Sequence, residues 1–131
     1  MKSVLVVEDD DKTRSFLEIL LSYEGYAVRT ASHAGEAKTH LYDFEPDLIL
    51  MDIQLPGMGG LELTRELKRD PERSHIPILA MTAFAQEYHR EGALGAGCSG
   101  YIAKPFRAQA LLAIVAAHIE QVVPGGAPGP A

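Results

Sequence analysis

Apolar and polar positions alternate along the chain in blocks of two kinds. Residues 4–7, 48–51 and 76–81 are almost unbrokenly apolar, the pattern of short strands buried on both faces. Residues 26–30 alternate apolar and polar, as an edge strand does, and residues 100–103 form a short fifth strand after a glycine-rich stretch. Between these lie helical spacings. Phe16, Leu17, Leu20 and Leu21 predict a first helix, which Gly25 stops. Ser32 caps a second helix running to about Phe44, with Ala34, Ala37 and Leu41 inward. Leu61, Thr64 and Leu67 mark a third, closing at Asp70 and Pro71. Residues 84–94 make a poor fourth helix, broken by Gly92, and residues 106–123 a long apolar fifth.

Strands and helices in strict alternation predict a three-layer α/β domain over residues 1–123. The tail, 124–131, holds only Pro, Gly and Ala and reads as a flexible extension. The first, third and fourth strands are the most apolar and belong in the middle. That gives a flavodoxin-like, doubly wound parallel sheet of five strands in the order 2-1-3-4-5, with five helices around it. Its switch point lies between the first and third strands, which end in Glu8, Asp9 and Asp52.

Composition narrows the field. With 131 residues there is room for one domain with a real core. A formal charge of −6 and no basic run argue against a nucleic-acid surface. One cysteine, Cys98, suits a reducing compartment. No signal peptide opens the chain, and no apolar run approaches a membrane span. The expectation is a cytoplasmic protein that engages neither membrane nor nucleic acid.

The carboxyl ends of the strands carry Glu8 and Asp9, Asp52, Thr82 and Lys104. Singly, each is a helix cap, a turn acid, a loop hydroxyl or a surface lysine. Together on one rim they match chemically. Converging carboxylates hold a proton unless a cation intervenes, and a set of oxygen donors alone points to Mg²⁺. The histidines and Cys98 have no zinc spacing. A carboxylate flanked by Mg²⁺, a hydroxyl and an ammonium is equipped for phosphoryl transfer: it attacks phosphorus while Lys104 and Thr82 bind phosphoryl oxygens.

These residues sit in the motifs Val6-Val7-Glu8-Asp9, Met51-Asp52-Ile53-Gln54-Leu55-Pro56, Gly60, Met81-Thr82-Ala83 and Tyr101-Ile102-Ala103-Lys104-Pro105-Phe106. With them the chain resembles a response-regulator receiver domain of two-component signalling across residues 2–123. It is most similar to stand-alone cell-division receivers and to receivers attached to hybrid kinases. The resemblance implies that Asp52 accepts a phosphoryl group from a phosphohistidine on a histidine kinase or phosphotransfer protein. Asp9, Asp52 and the backbone carbonyl of Gln54 coordinate Mg²⁺, with Glu8 acting through water. Thr82, Ala83 and Lys104 bind the phosphoryl group, Thr82 and Tyr101 switch together, and Pro105 follows a cis bond. Gln54 and Phe84 occupy the positions that tune phosphate lifetime, and a bulky Phe84 implies slow self-dephosphorylation. Such a module is no enzyme beyond promoting its own phosphorylation and dephosphorylation. With nothing after residue 123 to serve as an output domain, the expected readout is contact with a protein partner.

Two other classes fit fragments. Asp9, Asp11 and Thr13 satisfy the Asp-x-Asp-x-Thr pattern of haloacid-dehalogenase-type phosphatases, but that reading leaves Asp52 without a job. A flavin-binding flavodoxin relative lacks its phosphate loop, since acids follow the first strand. The last helix, with Leu111, Leu112, Ile114, Val115, Ile119, Val122 and Val123, is apolar on more than one face. That marks the 84–123 face for a homodimer contact. Cys98 reads as packing, and the five histidines as scattered and solvated.

Overall fold

A computed structural model of the chain describes residues 1–83 and 87–120. Phe84, Val122, Val123 and the 124–131 tail lie outside the described residues. The elements run β1 (Ser3–Val7), α1 (Asp11–Tyr23), β2 (Ala27–Ala31), α2 (Ala34–His40), β3 (Leu48–Asp52), α3 (Gly60–Arg69), β4 (Ile78–Thr82), α4 (Glu87–Ala96), β5 (Gly100–Ala103) and α5 (Ala108–Glu120). All strand pairs are parallel, in the order β2-β1-β3-β4-β5. The sheet is the one that the apolar runs predict.

Side chains alternate across each strand, and the core is therefore double. Leu5, Val7, Ile49, Met51, Ile78 and Ala80 pack against Ala37 of α2, Leu63 and Leu67 of α3, and Ala93 of α4. Val4, Val6, Leu48, Leu50, Leu79 and Met81 meet Leu17 and Leu21 of α1, and Leu111, Val115 and Ile119 of α5. With both faces covered, residues 4–7 and 48–51 can carry no polar position.

Element ends differ from expectation where local hydrogen bonds decide them. His33, not Ser32, caps α2: its Nδ1 accepts the Glu36 N–H at 3.2 Å. The Glu36 carboxylate in turn reaches back to the Ser32 N–H at 2.7 Å. This helix stops at His40, well short of Phe44. There Arg29 pairs with Asp43 at 2.8 Å and lies 4.6 Å over the Phe44 ring, drawing the segment across β2. β4 starts two residues late because Pro77 has no N–H and lends only its carbonyl, to Ile49, at 3.0 Å. α5 starts at Ala108, leaving Phe106 outside the helix with its ring centroid 6.4 Å from that of Phe16.

Most of the wide α5 stripe is spent inside the fold: Leu111, Val115 and Ile119 are buried, and Leu112 and Ile114 pack partly against them. Cys98 is buried, its thiol pushed up by desolvation. Three histidines are not simply solvated. His33 is a cap, while His40 Nε2 and His118 Nδ1 each lie 2.9 Å from a main-chain carbonyl, of Thr30 and Ile114. Among the described residues no helix is long and apolar enough to cross a membrane.

Candidate functional site

The four acids after β1 divide their duties. Asp10 caps α1: its Oδ2 accepts the Thr13 N–H at 2.8 Å and the Thr13 hydroxyl at 2.7 Å. Asp11 lies in the first turn, where a negative charge suits the helix dipole, and pairs with Arg14. That leaves Glu8 and Asp9. Glu8 extends the ladder, its N–H donating to the Ala31 carbonyl at 2.9 Å, and its side chain is fully buried. Asp9 is exposed.

Asp52 ends the central strand β3 and is 2% exposed. Its Oδ1 accepts the Gln54 N–H at 2.9 Å. Carboxylate oxygens of Glu8, Asp9 and Asp52 all lie within 4.8 Å of one another. The close seat of α3 shapes this corner. A Cβ on Gly60 would stand 2.1 Å from the Asp52 carbonyl oxygen and 2.7 Å from Ile53 Cα, so only glycine fits.

The far side of the cluster comes from β5. The Lys104 N–H donates to the Thr82 carbonyl at 2.7 Å, fixing where the lysine leaves the sheet. The Lys104–Pro105 peptide is cis. Lys104 Nζ is 2.6 Å from Glu8 Oε1 and 3.5 Å from Asp52 Oδ2. Burial pushes the Glu8 carboxyl up to about 7; Asp52 adds to this, while Lys104 and the Asp10 amide pull it back. Burial also works against the Lys104 ammonium, but the Glu8 hydrogen bond and the Asp52 charge outweigh it, and its pKa rises.

One ammonium among three carboxylates leaves the cluster short of positive charge. The donors are all hard oxygens, two of them on buried residues, which fits Mg²⁺. Thr82 is fully buried at the end of β4, beside this cluster. Ala83 is exposed and, with Phe16, Pro105 and Phe106, lines a groove of about 540 Å³ that runs up to Lys104. Gln54 is exposed, and Tyr101 is half-buried, packed against the α2–α4 side of the core. Asp11 and Thr13, which the phosphatase pattern needs in the site, are engaged in opening α1.

Arg14 escaped the sequence reading. Its Nη1 donates to the Glu8 carbonyl at 2.9 Å and lies 3.4 Å from the Asp9 carbonyl, directly behind the acids. The signal was there: a cation near the start of a helix opposes the dipole and calls for another reason to be present.

Residues 4–116 match the family model described as the response regulator receiver domain. The chain is 43% identical over 104 residues to the polar-differentiation response regulator DivK of Brucella anthropi, covering 79% of this chain and 85% of DivK. It is 36% identical over 129 residues to the phosphate regulon transcriptional regulatory protein PhoB of Pseudomonas aeruginosa. There 98% of this chain spans only 56% of the relative, about half its length. A solved receiver domain of the sensor histidine kinase PA1611 from Pseudomonas aeruginosa PAO1 has a magnesium ion coordinated in its active-site cleft. It superposes with a TM-score of 0.83 at 34% identity, over 91% of this chain and 98% of that one. A CheY-like receiver domain protein from Methanospirillum hungatei gives a TM-score of 0.86 at 30% identity, over 93% and 96% of the two chains.

Proposed function

The chain belongs to the response regulator receiver domain family, and from that premise we propose that Asp52 takes a phosphoryl group from a phosphohistidine. The donor is a histidine kinase or histidine phosphotransfer protein. One observation carries the proposal: Asp52 is a nearly buried carboxylate at a central strand end, with two acids within 4.8 Å and the Lys104 ammonium at 3.5 Å. An Asp52 oxygen attacks phosphorus, the P–N bond breaks, and its electron pair leaves on the imidazole nitrogen. The product is an acyl phosphate on Asp52.

Glu8, Asp9, Asp52 and the Gln54 carbonyl are the groups to hold Mg²⁺, which when bound supplies neutralisation of charge on the phosphoryl oxygens. Lys104 leaves Glu8 to meet those oxygens, joined by Thr82 and the main chain at Ala83. Thr82 and Tyr101 then carry the change to the α4–β5 surface, where a protein partner reads it. The chain acts on itself alone, in the cytoplasm, and a homodimer through the 84–123 face belongs to the same proposal.

Intact-protein mass after incubation with acetyl phosphate tests this. The expected result is a single phosphoryl adduct that requires Mg²⁺ and is absent from Asp52→Asn. No adduct, together with no binding of beryllofluoride, overturns it. Lifetime offers a second check. Phe84 follows Thr82 by two residues, and an apolar ring there hinders attacking water, so Phe84→Glu is expected to lose phosphate several-fold faster. Equal decay rates remove Phe84 from that role.

A further inference from the structure

We propose that Arg14 is a positioning residue for the cation site: it holds the main chain that carries Glu8 and Asp9 and leaves their carboxylates free. The proposal rests on reading the acidic cluster as a Mg²⁺ site.

The Glu8 N–H makes the last ladder bond, to Ala31, and beyond it the carbonyls of Glu8 and Asp9 lose the strand ladder as a source of donors. The Arg14 guanidinium takes their place, with Nη1 reaching both carbonyls, at 2.9 and 3.4 Å, while Nη2 pairs with Asp11 one step further on. One planar fork thus spans the turn from its first acid to its last. The side chain is 21% exposed, so it is packed in place and does not sweep through solvent.

Lys104 and Arg14 act in opposite ways. The lysine sits on the carboxylate oxygens themselves, where an incoming cation has to displace it. The arginine sits on the carbonyls behind them. It contributes positive charge to an acid-rich corner without occupying a single ligand atom. Partners that orient metal ligands in this way commonly govern affinity by about 10–100-fold.

MgCl₂ titrated into the full chain by calorimetry, with the amide shifts of Glu8, Asp9 and Asp52 followed alongside, is the test. Arg14→Met is expected to weaken Mg²⁺ binding by about tenfold. Arg14→Lys keeps the charge but loses the fork, and is expected to stay at least about threefold weaker than the parent. A role in folding alone would lower the thermal midpoint and leave the affinity of the folded protein unchanged. An unchanged dissociation constant in Arg14→Met therefore overturns the proposal. So does parental binding by Arg14→Lys, because charge alone would then suffice, and this variant decides the matter if Arg14→Met does not fold. A parent chain that binds no Mg²⁺ overturns both the proposal and the site reading beneath it.

Discussion

Lys104→Met is expected to slow Mg²⁺-dependent phosphorylation of Asp52 by about a hundredfold, the usual cost of removing one donor aimed at developing charge. In the same variant Mg²⁺ should bind at least as tightly as in the parent. The two effects diverge because the ammonium holds two positions at once. At 2.6 Å from Glu8 and 3.5 Å from Asp52 it competes with a cation for carboxylate oxygens, and substitution ends that competition. It is also the one side-chain cation within reach of the Asp52 carboxylate among the described residues, and methionine cannot replace it there. Without metal the variant should be less stable, since Glu8 is fully buried and loses its partner. Protonation of Glu8, whose carboxyl is already pushed up to about 7, relieves part of that cost. Single-turnover mass spectrometry and a Mg²⁺ titration read the two halves separately. Parental phosphorylation kinetics would take Lys104 out of the reaction.

Gly60→Ala is expected to cost about 3 kcal/mol, near the upper end for an overpacked position. A chain of this size should then lose about 10 °C of thermal midpoint. The argument is steric. The added carbon would meet the Asp52 carbonyl oxygen at 2.1 Å and Ile53 Cα at 2.7 Å, and main-chain atoms cannot turn aside. Either α3 backs away from the sheet or the end of β3, which carries Asp52, moves. The neighbouring residue is the control. A Cβ on Gly59 finds only the Ile53 carbonyl oxygen, at 3.9 Å. Gly59→Ala should therefore stay within about 1 kcal/mol, the scale of a changed cap. Chemical denaturation of both variants compares them directly, and equal stabilities would sink the steric account.

The sheet was legible because burial on both sides leaves no polar face: residues 4–7 and 48–51 had nothing else to become. The acids, Thr82 and Lys104 were legible for a related reason. A charged or polar residue directly after such a run stands at the rim, whatever the loop does next. Helix ends were harder to read. They turn on single bonds that no periodicity records, such as an imidazole capping α2 or a proline carbonyl feeding β3 without an N–H to offer β4. Arg14 was hidden differently. Residue type announces a charge, but not which main-chain oxygens have been left without a ladder. The Glu8–Lys104 pair, 96 positions apart in the chain, needed the strand order before it could be imagined.

The divided core has a genetic consequence. The side chains beneath α1 and α5 and those beneath α2, α3 and α4 form separate sets with no shared member. Substitutions on opposite sides should add nearly independently. One wall of the molecule can then be repacked over generations while the other stands still. Asp52 ends, and Glu8 directly follows, a strand that faces both walls, so the two acids stand where changes in either wall meet.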